Sequence, residues 1–134
     1  MMPDIQTPLD AWLGVWADDM DLPVAWPNVT FTPPDGAYLR VAFLPAAPYS
    51  VDLAGECVVH PGIYQVTVVT PAGRGRSLAT RLAGDVASLF HDGLEMEGDG
   101  FTVWVSKPPA VGQPHATPPT WEVPVSVSWR VDLA

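Results

Sequence analysis

Basic residues are scarce in this sequence. Its 134 residues hold six Lys and Arg against fifteen Asp and Glu, a formal net charge of −9. Binding a nucleic-acid backbone takes Lys and Arg to displace counterions, and anionic membranes select for the same residues. Only Arg74 and Arg76 stand close together. Neither sequence-independent nor sequence-specific nucleic-acid binding is expected, and no membrane partner. An acidic wall would still suit a channel through which DNA slides without sticking. Cysteine is nearly absent: Cys57 stands alone, so no intrachain disulfide can form. No run of about 18 apolar residues exists to span a bilayer. Met1, Met2, Pro3 and Asp4 lack the basic start and apolar core of a signal peptide. The expectation is a protein kept in the cytosol, at least until it is assembled.

Charge of either sign is low. Charged residues make up 16% of the chain and hydrophobic ones 48%, where a soluble domain carries about 25% charged. Either another subunit covers part of the surface, or the chain is a compact monomer with an apolar exterior. The signatures of chemistry are missing too. Cys57 and His60 have a metal-ligand spacing, but zinc needs three or four ligands and no second pair follows, so a buried structural cysteine is the simpler reading. No G-x-S-x-G elbow is present. Gly73, Arg74, Gly75, Arg76 and Ser77 lack the lysine and spacing of a phosphate loop. They place two arginines at a helix start, where they would hold an anion or meet a neighbour's carboxylates. No catalytic residue, metal or cofactor is assigned.

Proline is plentiful, sixteen in all, but spread out, and neither a linker nor a repeat divides the chain. One domain over residues 1–134 is expected. Thr7 as N-cap, Pro8 and Asp10 open a first helix. Leu9, Trp12, Leu13, Trp16, Ala17 and Met20 form one apolar stripe along it. Asp18, Asp19 and Asp21 gather at its C-terminal end, where the helix dipole disfavours them. They form a solvated end, or they face a cation or a partner's basic group. Pro23 to Gly36 reads as irregular, with Trp26 and Phe31 buried on the domain's own core or against a neighbouring subunit.

Strands are expected from Ala37 to Leu44 and from Val58 to Thr70. The second reads as a central strand, apolar and covered on both sides from Ile63 to Val69, with Gly62 at a bulge or a close backbone approach. A second helix runs from Ser77 to Phe90 and ends at Gly93, followed by a hairpin through Leu94–Met96 and Phe101–Val105. Lys107 to Thr120 reads as a long loop. From Trp121 to Val131 apolar and polar residues alternate, a strand with one face of each kind. Pro124 within it points to a sheet edge or bulge, and an edge can pair with another chain. The order predicts an α+β fold: a mainly antiparallel or mixed sheet with two helices packed on one face.

Four segments carry a resemblance. They are Val24–Asn28 with Phe31, Pro33 and Pro34; Ala37–Val41 leading to Leu44 and Pro45; Pro61–Val68 followed by Pro71, Gly73 and Gly75; and Trp121–Arg130. In order and spacing the sequence resembles the tail-terminator proteins of long-tailed bacteriophages. That resemblance implies a non-enzymatic ring, usually hexameric. The ring would cap the tail tube, stop its growth and offer a joining surface to head-completion or connector proteins. It implies self-association, a tail-tube partner and a place in the neck of the virion tail, with assembly in the host cytoplasm. Candidate contacts on this reading are Trp26, Asn28, Phe31, Arg74, Arg76, Asp18, Asp19, Asp21 and Pro124. Other readings are another neck or tail component and a small ligand-binding domain walled by the aromatics.

Overall fold

The computed structural model describes residues 4–51, 57–73 and 75–133. Arg74, one of the expected contacts, lies outside them. The elements run α1 (Gln6–Asp19), β1 (Val24–Ala25), β2 (Tyr38–Pro45), β3 (Tyr49–Ser50), β4 (Val58–Pro71), α2 (Ser77–Leu89), β5 (Glu95–Glu97), β6 (Thr102–Val105), β7 (Ala110–Val111), β8 (His115–Thr117) and β9 (Thr120–Leu133). The sheet order is β1-β2-β4-β9-β6-β5, with β3 beside β4 and β7 and β8 beside β9. Every pairing is antiparallel except β1 with β2. The fold is α+β with a mixed sheet, as expected.

The frame is one long ladder. β4 and β9 are each 14 residues long and pair throughout, from Val58 opposite Leu133 to Pro71 opposite Thr120. Side chains on a strand alternate between faces. Leu39 and Val41, Tyr64, Val66 and Val68, and Val123, Val125 and Val127 therefore share one face, and all are buried. The helices cover that face. Leu9, Leu13 and Ala17 of α1 and Ala79, Leu82, Ala83 and Val86 of α2 join the same core cluster. The opposite face carries Arg40, Gln65, Ser126, Ser128 and Arg130 and is only partly covered. Thr67 and Val69 are buried there, Val69 near Pro33, Pro34, Tyr38 and Pro119. Within Ile63–Val69 the expected two-sided cover holds at the C-terminal end, and Val59 is buried on the same opposite face near the start of β4.

The two long strands each hold an internal proline, and both prolines have the same solution. Pro lacks the N–H of a ladder bond. Ala46 N–H donates to the Pro61 carbonyl at 3.0 Å and Gly112 N–H to the Pro124 carbonyl at 2.7 Å. A residue's N–H and C=O point to the same side of an antiparallel strand. The missing donors therefore face the breaks between β2 and β3 and between β7 and β8. Pro124 is accordingly not at a sheet edge. β9 is interior, with β4 on one side and β6, β7 and β8 on the other. The neighbouring strand is interrupted where the proline sits, so no ladder bond is lost.

Gly62 is a close approach, not a bulge. A Cβ built there would lie 2.3 Å from Trp129 Cζ2 and 2.9 Å from the Leu44 carbonyl oxygen. The Trp129 indole lies over this glycine and stacks on Phe43, with centroids 5.2 Å apart and planes 6° apart.

Three local expectations change. Thr7 is inside α1; Ile5 precedes the helix, and Asp4 accepts bonds from the Thr7 N–H and hydroxyl. Asp10 instead accepts a hydrogen bond from the buried Tyr64 hydroxyl, which ties α1 to β4. Cys57 is half-buried, not sealed in the core. Residues 23–36 and 107–120, read as loops, contain β1, β7 and β8. These pairs of two or three residues are too short to leave a sequence period.

Candidate functional site

The apolar stripe expected on α1 is split between two environments. Leu9, Leu13 and Ala17 are at most 2% exposed, whereas Trp12 is 41% and Met20 44% exposed; Trp16 is half-buried. Val15, off that stripe, is 69% exposed. The helix is therefore apolar on a second side: Val15, two residues from Leu13, points away from the buried stripe, and Trp12, one residue from Leu13, lies between the two. Burying a large side chain contributes about 1.5–3 kcal/mol. The side facing water contributes none of this to the folding of the isolated chain.

Two grooves flank this exposed ridge. The larger, ≈ 530 Å³, lies between α1 and β5 and is floored by Trp12, Trp16, Leu89 and Met96. Its rim is acidic, formed by Asp19, Glu95 and Glu97. The Trp12 indole N–H donates to the Leu89 carbonyl at 3.0 Å, which fixes the floor against the end of α2. The second groove, ≈ 510 Å³, runs along the other side of Val15, with Asp18, Val24 and Trp26 on its walls. Trp26 is half-buried beside Gly14, where a Cβ would meet its ring at 3.7 Å.

Of the expected contact residues, Asp18, Asp19 and Trp26 line these grooves. Asp18, Asp19 and Asp21 are exposed at the end of α1, with Asp18 in one groove and Asp19 in the other. Asp21 has φ 53° and Asn28 φ 57°, left-handed turn positions. Asn28 is exposed. Phe31 packs at 5.1 Å on Tyr38, so its ring is satisfied within the chain. Arg76 is exposed at the start of α2, and Pro124 is half-buried within β9; neither lines these grooves. Sequence reasoning missed Val15, Glu95 and Glu97, which line the grooves. An off-stripe valine next to two tryptophans was the available signal for the first. The glutamates become neighbours of α1 only through the tertiary fold.

No chemistry converges on this surface. Among the described residues there is no cluster of three His, Cys, Asp or Glu able to hold a metal ion. No described helix is long and apolar enough to cross a membrane. Glu122 and Asp10 are each paired within the fold. The Arg40 guanidinium bonds Glu122 on the far face and holds its carboxyl below the usual range. Burial pushes Asp10 up, opposed by the Tyr64 hydroxyl, and burial together with Asp10 pushes the Tyr64 phenol up. His115 Nε2 also lies 3.6 Å from Glu122 Oε1.

The comparisons with known proteins agree with a structural role. No curated protein matches the chain. A solved structure that carries no functional name shares 38% identity and a TM-score of 0.81, over 95% of this chain and 92% of its own. The family described as phage tail terminator protein matches residues 4–129. Matched across nearly its whole length, the chain belongs to the phage tail terminator family, structural proteins of tail morphogenesis that reside in the virion tail.

Proposed function

We propose that copies of this chain close into a ring, hexameric as the family resemblance implies, that caps the tail tube. The ring stops tube growth and presents its other face to the head-completion or connector protein. The observation that carries this reading is the exposed apolar side of α1, with Trp12, Val15 and Met20 between two grooves. A chain with 16% charged residues and a water-facing ridge of this kind gains free energy when a protein surface covers it. Rotational closure of identical subunits requires heterologous contacts, and many weak contacts engaged together hold the cap in place. One face of such a ring copies the tube's binding surface and the other does not, so addition stops. The subunits stay in the host cytoplasm until the tail is complete.

The test is growth of the cognate tail tube from purified tube protein, followed by negative-stain microscopy. Addition of this chain at substoichiometric amounts should shorten tubes and leave an extra ring at one end. Tubes of unchanged length with bare ends would refute capping.

A further inference from the structure

The six basic residues are unevenly used. Arg40 pairs with Glu122 and Arg130 with Asp132. Arg76 and Arg81 are exposed and form no ion pair among the described residues. They bracket Leu78, whose side chain is 44% exposed at the first turn of α2. That turn has no acidic residue and no side-chain cap, so the helix dipole adds to the positive field there. The result is an apolar knob in a basic surround.

The acidic-rimmed groove is its counterpart. Trp12, Trp16 and Met96 offer an apolar floor, and Asp19, Glu95 and Glu97 an acidic rim. The two features lie at opposite ends of one rigid element. α2 starts at the knob and ends at Leu89, which lines the groove and accepts the Trp12 hydrogen bond. Its 13 residues separate them by about 20 Å at about 1.5 Å per residue. Different, complementary patches at opposite ends of a subunit are what head-to-tail association needs. A two-fold interface through the groove would instead set acid against acid.

We propose that the groove's occupant is a second copy of this chain, inserting Leu78 with Arg76 and Arg81. The proposal rests on the ring reading above and names its interface. Each copy uses its knob on one neighbour and its groove on the other, so contact repeats around the ring. The charges set register and direction, and the apolar contact between Leu78 and the tryptophans excludes water at the centre.

The experiment is light scattering over a concentration series with two charge-reversed variants. One carries Arg76→Glu and Arg81→Glu; the other carries Glu95→Lys and Glu97→Lys. All four substitutions are at exposed positions, and circular dichroism checks folding. Wild type should rise to a closed oligomer and each variant alone should stay monomeric. An equimolar mixture should recover the oligomer, because each variant's knob then meets a groove of opposite charge. Oligomers of wild-type mass from either variant alone would overturn the knob-and-groove contact and leave ring formation intact. A mixture that stays monomeric while wild type assembles would overturn it too. Wild type that remains monomeric throughout would overturn self-assembly through this contact, while tube capping is judged separately on the tube itself. Should a reversed variant unfold, Val15→Cys mixed with Leu78→Cys in a Cys57→Ser background replaces it. A crosslinked dimer only in the mixture supports the contact, and no dimer overturns it.

Discussion

The two helices lie on the same sheet face and leave different surfaces to water. Beyond Leu78 and its flanking arginines, α2 exposes Thr80, Gly84 and Ser88, small or polar groups that need no cover. α1 exposes Trp12 and Val15, and Met20 is exposed just past its end. Both bury an apolar stripe in the core, so the core does not explain the difference. A helix used only to cover a sheet ends in a polar outer side. α1 has the composition of a helix that is covered on both sides, and the isolated chain supplies only one cover. The acidic end of α1 belongs to the same contrast, because Asp18 and Asp19 edge the uncovered side and leave the core alone.

That contrast can be broken by substitution. The largest effect is expected from Leu13→Ala on the inner side, a loss of about 2–5 kcal/mol for a buried leucine. Val15→Ala on the outer side should change stability by no more than about 0.5 kcal/mol. Urea denaturation of both variants measures the pair, and equal losses would erase the distinction between the two sides. Tyr64→Phe comes next. It removes the hydroxyl that anchors Asp10 of α1 to β4, and hydrogen bonds to charged groups contribute about 1.5–3 kcal/mol. The same denaturation curves should show that loss without a change in slope.

Gly62→Ala sharpens the floor on which the helices rest. The new methyl would lie 2.3 Å from the Trp129 ring. Overpacking costs about 1–3 kcal/mol, and the shift of the indole should alter the near-ultraviolet dichroism. The smallest effect concerns pH. Arg40 holds the Glu122 carboxyl below its usual range, so the folded state binds that proton less readily than the unfolded chain. The pair's contribution is present above the ordinary carboxylate range and is lost as pH falls through the lower folded value. Melting curves from neutral to acid pH should be flatter for Glu122→Gln than for wild type in that window.

Local pattern made α2, β4, β9 and the β5–β6 hairpin legible in the sequence, because each carries a period long enough to detect. Pro124 shows where such reading stops. A proline in an alternating strand implies an edge unless the neighbouring strands are known, and here the break between β7 and β8 removes the need for one. α1 shows a second limit. Its tryptophans fitted a single stripe, yet Leu9, Leu13 and Ala17 are buried in the core, Trp16 packs partly against it and Trp12 stays exposed. The width of an apolar arc says how much surface wants cover and not which part the chain covers itself. The contact residues divide for the same reason. Asp18, Asp19 and Trp26 meet at α1, while Phe31 and Pro124 are taken up by the fold. Glu95 and Glu97 reach the groove through a hairpin distant in sequence from α1.

Val15→Glu tests the central claim, that the outer side of α1 is an assembly surface, most directly. At 69% exposure the new carboxylate should leave the unfolding curve of the isolated chain nearly unchanged. Light scattering over a concentration series should then show wild type assembling and Val15→Glu remaining a monomer. Assembly of Val15→Glu at wild-type concentrations, to wild-type mass, would contradict the account.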